Sequence, residues 1–128
     1  MLSSATVEPT LPATDMQRAK DFYQNKLGLQ LKESNDEAEA LTFACGNGTS
    51  LVVYKRGAPP KAENTAAHFR VSGLEAEMQA LRDKGVVFEE YDYPTLKTVN
   101  GVADMGGIKG AWFKDSEGNI IGLTELAA

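Results

Sequence analysis

The chain has 128 residues, of which 42% are hydrophobic and 24% charged, and its net charge at pH 7 is −5. This composition is typical of one soluble globular domain, and an acidic balance without any Lys/Arg cluster argues against nucleic-acid binding. One cysteine excludes an internal disulfide and a CxxC motif, and the absence of a signal-peptide pattern or long apolar run predicts a cytoplasmic protein without a membrane partner.

The sequence pattern of the first half predicts a strand, a helix and three further strands. Val7–Leu11 is a short β-prone run that we expect Pro12 to stop. Asp15 suits the N-cap of a helix that ends at Gly28, with apolar side chains three and four residues apart. Among these apolar residues, Phe22 and Tyr23 are interpreted as core. Tight turns then join three predicted antiparallel strands, Leu29–Glu33, Ala40–Cys45 and Leu51–Tyr54.

The second half repeats this order after a Pro-rich polar segment at positions 57–64. Ala66–Val71 predicts a strand, and Ser72 with Glu75 forms an S-x-x-E capping box for the next helix. Three more strands are predicted at Val86–Tyr91, Gly110–Lys114 and Asn119–Leu126.

An internal repeat connects the two halves. The helical segments Asp15–Gly28 and Ser72–Gly85 begin 57 positions apart (15 to 72), and the string GNGTSLVVYK at 46–55 has a counterpart in SEGNIIGLTE at 116–125. The order βαβββ followed by βαββ(β) predicts an α+β fold with mixed sheets. The predicted organisation is a single domain with module one at 1–56, a linker at 57–64 and module two at 65–128.

One long segment, Asp92–Lys109, is rich in glycine and shows no clear periodicity. Loops of that length inside a compact domain are typically functional lids, and a dimer-contact arm is the alternative interpretation. Its candidate specificity residues are Tyr93, Lys97, Thr98, Asn100, Asp104 and Met105.

Three strings resemble the vicinal oxygen chelate superfamily, which contains glyoxalase I, bleomycin-resistance proteins, fosfomycin-resistance enzymes and extradiol dioxygenases. They are LPATDMQRAKDFYQNKLGLQL at 11–31, HFRVSGLEAEMQALRDKGVVF at 68–88 and WFKDSEGNIIGLTE at 112–125. The resemblance implies two βαβββ modules that each form half of a cup, in a homodimer whose paired modules complete the ligand cavity.

In that superfamily a divalent metal is held by side chains at four strand positions. The resemblance places these positions at Glu8, at Leu51 or Val52, at Ala66 and at Gly122. Only Glu8 carries a donor group, whereas catalytic metal sites need about three protein ligands. His68, the only histidine, lies two residues after Ala66 and would supply only a second ligand. We therefore expect no metal and no other cofactor.

Six side chains are candidates for ligand binding in the implied cavity: Glu8, Thr10, His68, Arg70, Trp112 and Lys114. The strand alternation and the resemblance together point them inward. An aromatic surface with a few polar groups is typical of small-molecule pockets. Arg70 suits a carboxylate or phosphate, and the alternative for this residue is an internal ion pair with Glu8. The alternative for Trp112 is core packing.

The favoured hypothesis is a glyoxalase/bleomycin-resistance-like protein that binds a small organic molecule in a cup-shaped cavity without the metal of the family. One alternative is a lyase or isomerase in which Glu8 or His68 is the general base and Arg70 is the electrostatic stabiliser. Another is a dimeric interaction module with a filled cavity. The sequence contains no GxSxG elbow, P-loop or GxGxxG motif that would indicate other chemistry.

Overall fold

The structure is a computed structural model that describes residues 1–126, and it divides into two compact units, one on each side of the Pro60–Lys61 bond. This division lies inside the segment 57–64. Positions 127 and 128 of the predicted second module lie outside the described residues. No helix within residues 1–126 has the length and apolar character that crossing a bilayer requires.

The first unit is a four-stranded mixed sheet with one helix. Its strands are β1 (Thr10–Ala13), β2 (Gln30–Asn35), β3 (Ala40–Ala44) and β4 (Ser50–Lys55). The sheet order is β1-β4-β3-β2, with β1 parallel to β4 and the other pairs antiparallel. Short 3-10 turns lie at Leu2–Ser4 and Gly46–Gly48.

Helix α1 (Met16–Asp21) continues into a π-helical turn, Phe22–Lys26. The predicted cap is confirmed, because the Asp15 carboxylate accepts a hydrogen bond of 3.0 Å from the Arg18 N–H. Gly28 has φ +72, a left-handed conformation that favours glycine after a helix.

Aromatic packing fills the core of this unit and confirms the interpretation of Phe22 and Tyr23. Tyr23 is completely buried and stacks on Phe43 of β3 at a centroid distance of 5.5 Å. Phe22 is also buried and meets Tyr23 edge-on. The buried face of β3 and β4 alternates with a half-buried face, as the two-residue period of a strand requires.

The second unit has the same arrangement. Its elements are β5 (Thr65–Arg70), α2 (Leu74–Asp83), β6 (Asp92–Tyr93), β7 (Leu96–Lys97), β8 (Ala103–Asp104), β9 (Ile108–Lys114) and β10 (Ile120–Leu126). Its main sheet has the order β5-β10-β9-β8, with the first strand again parallel to the last. Both units therefore have the repeat and the α+β fold class that the sequence predicted.

The prediction of a strand at Val86–Tyr91 is wrong. Among the described residues, this segment contacts β9 through a single bridge, Phe88 to Phe113, and through a 2.8 Å hydrogen bond from the Glu89 N–H to the Trp112 C=O. Beyond that point the chain leaves the sheet, because the Tyr91 N–H bonds to the Thr98 hydroxyl at 2.8 Å.

The predicted capping box of the second helix is also wrong. Helix α2 begins at Leu74 after Gly73, which supplies no side-chain cap. The carboxylate of Glu125 in β10 accepts a 3.0 Å hydrogen bond from the Leu74 N–H instead. A negative charge is favourable at a helix N-terminus, so a carboxylate from another element can replace a local cap.

Two further expectations need correction. The segment Asp92–Lys109 is not irregular throughout, because it contains the β6–β7 hairpin and β8. Pro12 does not stop the first strand, which continues to Ala13. Within residues 1–126, β1 is an edge strand that pairs with β4 alone, and proline is tolerated at such edges.

Candidate functional site

The indole of Trp112 lies across the sheet of the second unit, over two glycines. A Cβ built on Gly110 would lie 2.9 Å from Trp112 Cη2, and a Cβ on Gly122 would lie 3.2 Å from Trp112 Nε1. Gly110 is two residues before Trp112 on β9, and Gly122 is its partner on β10. The two glycines thus leave the space in which the ring rests against the backbone.

A hydrogen bond fixes the other edge of this ring. Trp112 Nε1 donates to the hydroxyl of Thr65 at 3.1 Å. Thr65 lies opposite Ile120, whereas Ile121 lies opposite Ala67, so Ala66 is the extra residue of a β-bulge. Bulges re-aim side chains at sheet edges, and this one brings a hydroxyl to the tryptophan.

Two tyrosines extend the aromatic surface. Tyr91 meets Trp112 edge-on at a centroid distance of 5.7 Å, and Tyr93 stacks on Tyr91 at 6.0 Å. Such geometries are the favourable ones for aromatic pairs. The sequence carried a signal for Tyr91 that was missed, because Glu89, Tyr91 and Tyr93 are spaced two residues apart and therefore share one face of an extended chain.

These rings line a pocket of about 680 Å³ that lies wholly within the second unit. Its volume is in the range of small-molecule sites. The lining residues are Glu63, Asn64, Thr65, Glu89, Tyr91, Tyr93, Leu96, Trp112, Lys114 and Ile120. We call it the aromatic pocket.

One ion pair lies in the wall of the aromatic pocket. Lys114 Nζ is 3.8 Å from Glu89 Oε1, and the two side chains are 59% and 33% exposed. An exposed pair of this length contributes little stability, so Lys114 can exchange Glu89 for an anionic group of a ligand. Burial, and secondarily the charge of Glu89, raises the pKa of Tyr91 above its ordinary value.

The structure distributes the six predicted site residues over both units. Trp112 and Lys114 line the aromatic pocket. His68 and Arg70 are exposed on β5, opposite Gly122 and Thr124, and His68 Nδ1 is 2.9 Å from the Thr124 hydroxyl. Glu8 and Thr10 belong to the first unit, where Glu8 is exposed just before β1 and Thr10 lies opposite Val52. Ligand binding by these six residues remains a prediction.

The donor groups at the predicted metal positions do not fit a divalent metal. Of the two candidate positions on β4, Leu51 is buried in the core while Val52 shares the face of Thr10. A side chain at Gly122 would meet Trp112 Nε1 and His68 Cβ at 3.2 Å, so the ring occupies the space of a ligand there. Within residues 1–126, no three His, Cys, Asp or Glu side chains are grouped in a way that would hold a metal.

Solved structures with this fold cover nearly all of the chain. TnmS3, an antibiotic binding protein from Streptomyces sp. CB03234, is 26% identical, with a TM-score of 0.71 and 99% of each chain covered. A glyoxalase/bleomycin resistance protein from the same organism is also 26% identical, with a TM-score of 0.64 over 91% of this chain and 96% of that one. A superfamily member from Sphaerobacter thermophilus DSM 20745 is 21% identical, with a TM-score of 0.75 over 98% and 99%.

No curated protein matches the sequence significantly. The family model of the Glyoxalase/Bleomycin resistance protein/Dioxygenase superfamily, however, matches residues 6–123, which is most of the chain. Together with the two-module α+β fold, this match confirms the resemblance: the chain belongs to the glyoxalase/bleomycin resistance protein/dioxygenase superfamily.

Proposed function

We propose that this protein binds a planar aromatic small molecule in the aromatic pocket, without a metal, and acts in the cytoplasm by sequestering it. The observation that carries the proposal is the continuous contact of Tyr93, Tyr91 and Trp112 along one wall of a pocket. Aromatic side chains provide large contact areas at a low cost in conformational entropy, and they favour flat ligands.

One polar group beside these rings, the ammonium group of Lys114, suits a ligand with one anionic substituent. Lys114 is the single cation among the lining residues, which also include the carboxylates of Glu63 and Glu89, and its weak pairing with Glu89 leaves it accessible to a ligand. Thr65 is already engaged by the indole N–H. We therefore propose that the rings bind the flat part of the ligand while Lys114 binds a carboxylate.

Similarity to TnmS3 supports a binding role over a catalytic one, since that relative is an antibiotic binding protein. The donor set supports metal independence, because three of the four metal positions of the superfamily carry side chains without a lone pair. Sequestration needs only affinity, whereas a lyase or isomerase needs a base beside a labile proton.

A matched pair of probes tests the proposal. The single tryptophan gives one indole N–H signal in NMR, which reports directly on the pocket. We expect 2-naphthoate to shift this signal saturably, and 2-naphthylmethylammonium to bind about tenfold more weakly because Lys114 repels it. The affinity should be the same after EDTA treatment and with added zinc. Binding of neither probe would refute the aromatic-anion proposal, and stoichiometric zinc that is lost in Glu8→Gln would refute metal independence.

We also propose that the protein is a homodimer in which the amino-terminal module of one chain faces the carboxy-terminal module of the other. Two-fold pairing is the commonest assembly of soluble proteins and buries sheet faces that a monomer leaves open. Light scattering at micromolar concentration should give about twice the 13.8 kDa of one chain. A mass of a single chain would contradict this assembly.

A further inference from the structure

Two of the three rings of the aromatic pocket lie on a segment that is not part of the main sheet. Tyr91 lies just before the β6–β7 hairpin, and Tyr93 lies in β6. That hairpin has only two residue pairs, Asp92 with Lys97 and Tyr93 with Leu96. A ladder this short is marginal on its own, so something else must hold the tyrosines against Trp112.

The base of the hairpin is closed by the hydroxyl of Thr98. Thr98 Oγ1 accepts a 2.8 Å hydrogen bond from the Tyr91 N–H and donates one of 2.6 Å to Glu90 Oε1. The Thr98 N–H in turn donates to the Tyr91 carbonyl at 2.9 Å. One side chain therefore connects the two arms of the hairpin at the point where the tyrosines begin.

The same carboxylate oxygen of Glu90 reaches the next turn. Glu90 Oε1 also accepts a 2.8 Å hydrogen bond from the Gly101 N–H. Asn100 and Gly101, with φ +53 and +82, form a tight two-residue turn between Val99 and Val102, whose N–H and C=O groups bond to each other. Arg82 of α2 donates to the Asn100 carbonyl at 3.0 Å and so ties this turn to the helix.

Glu90 accepts these hydrogen bonds as an ionised group. Hydrogen bonds from Thr98 and then from Gly101, together with the positive charge of Arg82, lower the pKa of Glu90 despite partial desolvation. At neutral pH the group is a carboxylate, and a charged acceptor makes short, strong hydrogen bonds.

We infer that Glu90 and Thr98 are positioning residues that hold the hairpin so that Tyr91 and Tyr93 form one wall of the aromatic pocket. This inference rests on the proposed function for its ligand. It requires that neither residue touch the ligand, and neither of them is among the residues that line the pocket in the described part of the chain. The pair acts through the tyrosines.

Thr98→Val removes the hydroxyl while keeping the shape of the side chain. We expect it to weaken 2-naphthoate binding about tenfold, because the base of the hairpin loses the hydrogen bonds that the Thr98 hydroxyl makes with the Tyr91 N–H and with Glu90. Glu90→Ala should act similarly. Thr98→Ser, which keeps the hydroxyl, and Glu77→Ala, an exposed glutamate of α2, should stay within about twofold of the wild type.

A double-mutant cycle separates positioning from general destabilisation. If Thr98 acts through the tyrosines, adding Thr98→Val to a variant with both Tyr91→Ala and Tyr93→Ala should weaken 2-naphthoate binding by no more than about twofold beyond that variant alone. Two fully additive losses would overturn the inference. Thr98→Val with wild-type affinity would overturn it as well.

A measurement without ligand keeps this inference distinct from the proposed function. Hydrogen exchange of the amide at position 98 should be about tenfold faster in Thr98→Val, whereas the Met78 amide in the buried face of α2 should be unchanged. If the wild type binds no probe while exchange accelerates, the proposed ligand is wrong and the hairpin is still held as inferred. If exchange at position 98 does not change, the inference is wrong whatever the protein binds.

Discussion

Replacing Trp112 by alanine is expected to weaken 2-naphthoate binding at least 30-fold, corresponding to about 2 kcal/mol, the typical loss when a central tryptophan of a binding surface is truncated. The indole is the middle of the aromatic wall, since it contacts Tyr91 on one side and Thr65 on the other. Without it, Gly110 and Gly122 would leave a gap against the backbone. Calorimetric titration measures the loss, because the variant has no tryptophan to observe.

Trp112→Phe is the matched control for this prediction. It keeps an aromatic ring over the two glycines but removes the hydrogen bond to Thr65 that orients the ring, so we expect a smaller loss of roughly fivefold in affinity. Equal effects of the two substitutions would mean that the indole N–H, and not stacking, determines affinity. Wild-type binding by Trp112→Ala would place the ligand outside the aromatic pocket.

Replacing Gly101 by alanine is expected to lower the free energy of unfolding by about 2–4 kcal/mol and the melting temperature by about 10 °C. Two costs combine at this position. The backbone has φ +82, and the new Cβ would lie 3.0 Å from Met78 Cε and 3.3 Å from Phe88 Cβ. The methionine methyl can move, whereas the Phe88 Cβ is fixed to its backbone. Thermal unfolding followed by circular dichroism measures the change.

Gly106→Ala isolates the backbone cost. Gly106 has a similar φ of +68, but no atom lies within 4 Å of a Cβ built there. We expect it to lose only about 1 kcal/mol, the cost of the left-handed conformation. If the two alanine variants unfold at the same temperature, the neighbours of Gly101 must relax without cost, and packing against Met78 and Phe88 does not constrain the turn.

Local patterns were sufficient to predict most of the architecture. The cap at Asp15, the glycine stop at Gly28 and the alternation along β3 are properties of a few consecutive residues, and the structure has all three. The repeat then predicted that both halves fold alike, and the two sheets share one strand order. Such features depend on backbone geometry and on the period of the side chains, which the sequence states directly.

The failed predictions depend on residues outside the segments from which they were made. The cap of α2 comes from Glu125, 51 positions away, although Ser72 and Glu75 form a plausible local box. The predicted strand at Val86–Tyr91 ends early because Thr98 takes the Tyr91 N–H. In both cases a backbone donor had two possible partners, and tertiary packing, not the local pattern, decided between them.

The sequence predicted one part of the candidate site, and the tertiary structure decided the rest. The sequence, through its family resemblance, indicated Trp112 and Lys114, and the residue types at the metal positions that the resemblance implies indicated the missing donors. Only the tertiary structure placed the indole over Gly110 and Gly122, brought Thr65 to it through a bulge, and set Tyr91 against it. The reason is physical: strand parity determines which face a side chain occupies, but its neighbours on that face come from strands whose register is decided by the packing of the whole sheet.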